Sequence, residues 1–300
     1  MLRFEDLERF EALIATRSTE QAIADYLEAA SAGLAAYLRT YRVTPAAYAE
    51  RLAERPLFYR ALVGLRDRLR PFEPGILQAM ARVRALLPGT PDAPVFFLVG
   101  TLGPGATPRE VRSGTDAASL GILMPVEHVG MTAETDMSEF PEGRAGRAQI
   151  EDVVGFVAHE YGHVAQVHRQ GLEQYRRLYT VPGRATNLAM AVREGGAELV
   201  SWLTTAQLRE RHRYFQRHAD ELRREFIAIA SHPAAQSRGW FSGRNEDRPD
   251  RPAQLGYAVG LDMCRRFFDM SGDRSAALLA IVSATEPEDF DVIARPYLNT

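Results

Sequence analysis

Apolar residues recur at three- and four-residue intervals through much of the chain, the spacing that gives an amphipathic helix one buried face. Phe4, Leu7, Phe10, Leu13 and Ile14 predict such a helix at the start, and similar patterns run through residues 26–41 and 57–69. Prolines 45, 56, 71, 74 and 88 punctuate these stretches, some of them near helix starts, where a missing backbone N–H costs little. The period changes after Pro88. Residues 95–99 form an apolar run of strand length and residues 120–126 a second, separated by a polar span containing Gly103, Gly105 and Gly114. Helical spacing returns over residues 149–169 and 185–207 and continues to about residue 230, without an internal repeat. The pattern predicts an α+β fold that is predominantly helical, with an N-terminal helical region at 1–88 and a second region at 89–300 holding a small sheet.

The second region carries His159-Glu160-Tyr161-Gly162-His163 within an uninterrupted helical pattern. Residues four apart share a helix face, about 6 Å apart along the axis, so one ion can bind both imidazoles. Glu160 lies off that line, poorly placed to join the same ligand set but well placed to reach a water that the metal activates. The flanks are apolar, with Val153, Val154, Val157, Val164 and Val167, and the ionisable groups inside the motif are the ones such chemistry needs. An unpaired buried charge would otherwise be costly. The alternative is a packed helix with two incidental histidines.

A catalytic zinc takes three protein ligands and leaves a position for water, so the third must come from elsewhere. The segment Arg193-Glu194-Gly195-Gly196-Ala197-Glu198 offers two carboxylates on one helix face. Glu194 is the expected third ligand, and Glu198 the expected acceptor for the outer nitrogen of a ligand histidine, fixing its tautomer. The paired glycines, poor helix formers, predict a close approach between this helix and the motif helix. Read without the motif, the same stretch is a solvated pair of glutamates.

HExxH followed by a Glu in a Glu-Gly-x-Ala context resembles the gluzincin metallopeptidases. The finer resemblance is to bacterial predicted zinc-dependent proteases related to gliding-motility lipoproteins. It also includes Val95-Phe96-Phe97-Leu98-Val99-Gly100, Trp240-Phe241 and Gly256-Tyr257-Ala258-Val259-Gly260, and spans roughly residues 90–285. The resemblance implies a zincin-like catalytic region, one zinc ion held by His159, His163 and Glu194, and Glu160 as the base. The related group often carries an export signal. The first ten residues here are charged, without a continuous apolar core, so the expected compartment is the cytoplasm, or the periplasm if a signal was removed.

In zincin folds the strand above the metal-binding helix pairs with substrate, and residues 119–127 are the candidate, with Leu120, Gly121, Ile122 and Leu123 in contact with it. Gly121 and Pro125 favour an edge position, although an ordinary interior strand fits the pattern too. Residues 231–254, rich in proline, glycine, arginine and aspartate, are long for a connection and predict a lid with Trp240 over the site, or else a surface anchor. Tyr257 is the expected oxyanion donor, with His232 second. His212 and His218, six apart, read as solvated or packing residues, and His128 and His168 as structural.

Composition narrows the partners. A net charge of −3 gives no electrostatic case for nucleic acid, and the single cysteine, Cys264, excludes an internal disulfide and any cysteine-rich zinc site. The expected function is zinc-dependent hydrolysis of peptide bonds. Two alternatives stay open at this point, a non-catalytic binding or chaperone-like module on the same scaffold and a hydrolase of non-peptide amides.

Overall fold

The N-terminal spacing is realised as a helix burying Leu7, Phe10 and Leu13. It is α1 (Glu5–Ala15), preceded by strand β1 (Leu2–Arg3) and followed by α2 (Glu20–Glu28), α3 (Ala32–Tyr41), α4 (Pro45–Glu54), α5 (Pro56–Ala61), α6 (Leu65–Leu69) and α7 (Glu73–Leu86). Then come β2 (Val95–Leu98), β3 (Thr107–Val111), β4 (Ser119–Pro125), α8 (Val153–Gln170), α9 (Leu172–Thr180), α10 (Asn187–Thr205), α11 (Glu210–Arg217), α12 (Ala219–Ile229), α13 (Leu255–Met270), α14 (Arg274–Ser283) and α15 (Pro287–Leu298). The computed structural model describes residues 1–15, 20–103, 105–112, 118–132, 135–140, 149–243, 248 and 250–298. Gly114 of the glycine-rich span and residues 244–247 and 249 of the long loop lie outside the described residues. The fold is α+β and predominantly helical, with a small mixed sheet.

The sheet order is β1-β2-β4-β3, with β1, β2 and β4 parallel and β3 antiparallel to β4. This corrects the expectation that residues 119–127 form an edge. Ile122 and Leu123 of β4 pair with β2 on one side and with β3 on the other. Gly121 is there for a different reason, since a Cβ would stand 2.9 Å from the Phe96 ring and 3.0 Å from Val111. Pro125 closes the strand opposite Leu98. The strand that the apolar pattern overlooked is β3, whose Pro108, Arg109 and Glu110 are the residues an edge strand tolerates.

Contacts divide the chain into two units, and not at residue 88. The first comprises Met1–Ala81 and Pro91–Val164, so the sheet shares a core with the N-terminal helices. Phe4 stacks on Phe97 at 4.7 Å. The fully buried Glu127 accepts the backbone N–H groups of Gly100 (2.9 Å) and Leu102 (3.2 Å). Tyr48 and Tyr59 donate to the carbonyls of Val99 and Gly100. The backbone leaving β2 therefore has its polar groups satisfied inside the core.

The second unit comprises Arg82–Thr90 and Ala165–Thr300. Its centre is α10, packed on α13, α14 and α15. Cys264 is fully buried there and its thiol contacts the Val192 carbonyl, as a core residue should; burial pushes the thiol pKa up. Among the described residues no helix is long and apolar enough to cross a membrane.

Candidate metal centre

The motif lies on α8 as its spacing predicts, and the start and end of that helix are both defined. Gln149 and Asp152 form a reciprocal cap ahead of it, and Gly171, with φ of 79°, ends it. Within the first unit, Tyr161 is fully buried and donates to the Pro91 carbonyl at 2.8 Å, while Val154 packs on Gly75. Those contacts fix the rotation of the motif face. Within the second unit, Gln166, one turn beyond His163, donates to the Arg193 carbonyl at 2.8 Å. Gln170 donates to the carbonyls of Val282 and Ala284. Arg193 is itself held by the Tyr175 carbonyl (2.6 Å), by Gln170 and by the Tyr175 ring 4.0 Å away. The residue after it is Glu194.

His159, His163 and Glu194 are all buried, and one ligand atom from each lies within 4.8 Å of the other two. The Nε2 atoms of the two histidines are 3.1 Å apart. A tetrahedral zinc with Zn–N bonds of about 2.0–2.1 Å needs its nitrogens roughly 3.3 Å apart. Two neutral imidazoles and one carboxylate also form the donor set of a zinc centre with a position left for water. The residues therefore fit the ion that the sequence leads one to expect. Glu160, only 6% exposed, follows the first of them.

Glu198 meets a basic cluster within the second unit. Its carboxylate is paired with Arg211, with Arg209 at 3.1 Å, and with His212 Nε2 at 3.4 Å. His212 Nδ1 accepts the Arg209 backbone N–H at 3.1 Å, which places the ring proton on Nε2, facing Glu198. His212 is 3% exposed, so of the two readings of it, solvated or packing, the second holds. The signal was present in the run Arg209-Glu210-Arg211-His212, basic residues opposite a buried acid, but no helical spacing links it to Glu198.

Burial lowers the His212 pKa, an effect only partly offset by Glu198. A histidine with a lowered folded pKa binds fewer protons folded than unfolded. Its contribution to stability is full above its unfolded value near 6.5 and is lost as the pH falls through the lower folded value. The urea midpoint should therefore drop between pH 7.5 and pH 5, and His212→Asn should flatten that decline; an unchanged slope would show that His212 does not report on folding.

Tyr257, half-buried at the start of α13, lies under the Arg211 guanidinium, 4.6 Å from ring centroid to Arg211 Cζ. Arg211 thus joins Tyr257 to Glu198. His232, the second oxyanion candidate, is exposed, and its carbonyl accepts the Asn187 N–H at the start of α10. Trp240 packs inside the second unit. It is 8% exposed and set edge-on against Phe226 at 5.4 Å, while Arg251 ties the loop to Glu221 and Glu225 of α12. The aromatic serves as an anchor of the loop, the alternative that the sequence left beside the lid. Leu120, Gly121, Ile122 and Leu123 lie in β4, where the last three are buried.

The glycine pair also divides its work. Gly196 faces α8, where a Cβ would stand 3.1 Å from Gln166 Nε2 and 2.8 Å from Ile281 of α14. Gly195 faces α13 instead, and a Cβ there would fall on the backbone of Gly260. Comparison with protein-family models, with curated proteins and with solved structures gave no match.

Proposed function

We propose that the protein is a zinc-dependent hydrolase that cleaves peptide bonds. The observation supporting this reading is the convergence of His159, His163 and Glu194, with Glu160 following the first ligand in the chain. A purely structural zinc is usually enclosed by four protein ligands and has no use for a base. Bound there, the ion would polarise the scissile carbonyl and acidify a water. Glu160 takes a proton from the attacking water as the new C–O bond forms, and returns it to the amine nitrogen as the C–N bond breaks. Burial of the site keeps bulk water away and strengthens each of these interactions. Arg209, Arg211 and His212 fix Glu198, one turn beyond Glu194, and Tyr257 is the donor we assign to the developing oxyanion.

Mass spectrometry of native, tag-free protein should find about one zinc per chain, lost in both His159→Ala and Glu194→Ala. A peptide library should then be cleaved by the loaded protein. Wild-type protein that takes up no zinc on reconstitution would refute the proposal.

A further inference from the structure

Two close contacts set the register of α10 against α13 inside the second unit. Cys264 Sγ meets the Val192 carbonyl at 3.6 Å, and a Cβ on Gly195 would fall on the Gly260 backbone. Four residues back along α13 therefore correspond to three forward along α10, and the helices run in opposite directions. One further turn brings Tyr257 level with Glu198, which is itself one turn beyond Glu194.

Arg211 of α11 occupies that level, and its side chain is only 10% exposed. Nη2 donates to the Glu198 carboxylate on α10, and Nη1 donates at 2.9 Å to Oε1 of Gln254, the residue before α13. A guanidinium tied to both helices cannot swing aside. Its Cζ lies 4.6 Å from the centroid of the Tyr257 ring, a contact worth about 0.5–2 kcal/mol. The Phe241 ring is a second neighbour of Tyr257 at 6.2 Å, and it packs so closely on Gly256 that a Cβ there would have no room. Glu198 does not need Arg211 for its charge, because Arg209 at 3.1 Å and His212 at 3.4 Å already face it. What Arg211 adds to them is its hold on the phenol.

We infer that Arg211 is a positioning residue, which by stacking on Tyr257 sets the phenol so that its hydroxyl donates to the oxyanion formed when a peptide carbonyl is attacked. The inference rests on the hydrolase reading and on Tyr257 as its donor, but the stacking can be measured without turnover. A donor fixed in advance costs no reorganisation as the charge develops, and a displacement of about 1 Å can cost about 10²-fold in rate.

The test uses full-length, zinc-reconstituted protein carrying ¹³C-labelled tyrosine, followed by NMR and by cleavage of a library-derived peptide. The ring signal of Tyr257, assigned by its absence in Tyr257→Phe, should move in Arg211→Met while the zinc content stays the same. Gln254→Asn, which shortens one tether and suits the left-handed backbone at φ of 62°, should move it less. Tyr257→Phe should lose about 10²- to 10³-fold in kcat and Arg211→Met at least about 10-fold, with KM little changed and Arg211→Lys recovering part of the loss. Arg211→Met added to Tyr257→Phe should cost nothing further, because the hydroxyl that it orients is gone. A residue that only joins α11 to α10 would lower kcat by the same factor in both backgrounds. Should Arg211→Met fail to fold, Gln254→Asn carries both measurements. An unmoved ring signal, a full second loss in the double variant, or a kcat within about threefold of wild type for Tyr257→Phe or Arg211→Met would overturn the inference. The hydrolase reading fails by a different result, wild-type protein that takes up no zinc or cleaves no peptide although the ring signal still moves, and the assignment of Arg211 falls with it.

Discussion

Glu160→Gln is expected to retain its zinc and lose about 10²- to 10⁴-fold in kcat, the contribution usual for a positioned general base. The change is nearly isosteric, which matters at a side chain only 6% exposed, because it opens no cavity. It removes the proton acceptor and leaves His159, His163 and Glu194 in place. The predicted loss corresponds to about 3–5 kcal/mol of activation free energy at 1.36 kcal/mol per decade. KM should move little, since the lost interaction forms as the proton transfers. The measurement is single-turnover hydrolysis of a library-derived peptide by metal-quantified protein. A fully zinc-loaded Gln variant within tenfold of wild type would remove Glu160 from the mechanism, whatever the status of the metal.

The parts of this centre that could be read in the sequence are those encoded by spacing within one helix. His159 and His163 fall on one face of α8 because four residues are about one turn, and the apolar flanks mark that helix as buried. Glu194 was legible by its own four-residue relation to Glu198. What the sequence did not reveal depends on which elements become neighbours. Nothing local indicates that Arg211 lies over Tyr257. Strand order is equally non-local. Gly121 and Pro125 suggested an edge because both weaken a strand, yet in β4 one yields to the Phe96 and Val111 side chains and the other ends the ladder. Trp240 shows the same limit, since an aromatic in a polar loop fits a lid and an anchor equally until its packing against Phe226 is seen.

Gly195→Ala should destabilise the metal-free protein by about 3 kcal/mol, the upper end of what overpacking usually costs, although helix propensity alone favours alanine by about 1 kcal/mol. The steric term wins because what a Cβ would strike is the main chain of Gly260, and a backbone cannot move aside as a flexible side chain can. Gly260→Ala meets the same crossing from the other helix, with its Cβ directed onto the Ala191 carbonyl. Urea denaturation of both variants, against Gly272→Ala as a control, tests this. A Cβ at Gly272 has nothing within 4 Å, so the control should lie within about 0.5 kcal/mol of wild type. The consequence reaches the centre, because Gly195 is the next residue after Glu194. If α10 shifts away from α13, the carboxylate leaves its place beside the two imidazoles, and zinc affinity should fall by at least tenfold in any Gly195→Ala protein that still folds. A Gly195→Ala variant as stable as wild type would mean that α10 and α13 do not cross at this pair of glycines. A destabilised variant with undiminished zinc affinity would show that Glu194 is positioned by its hold on α8, through Arg193 and Gln166, and not by the crossing with α13.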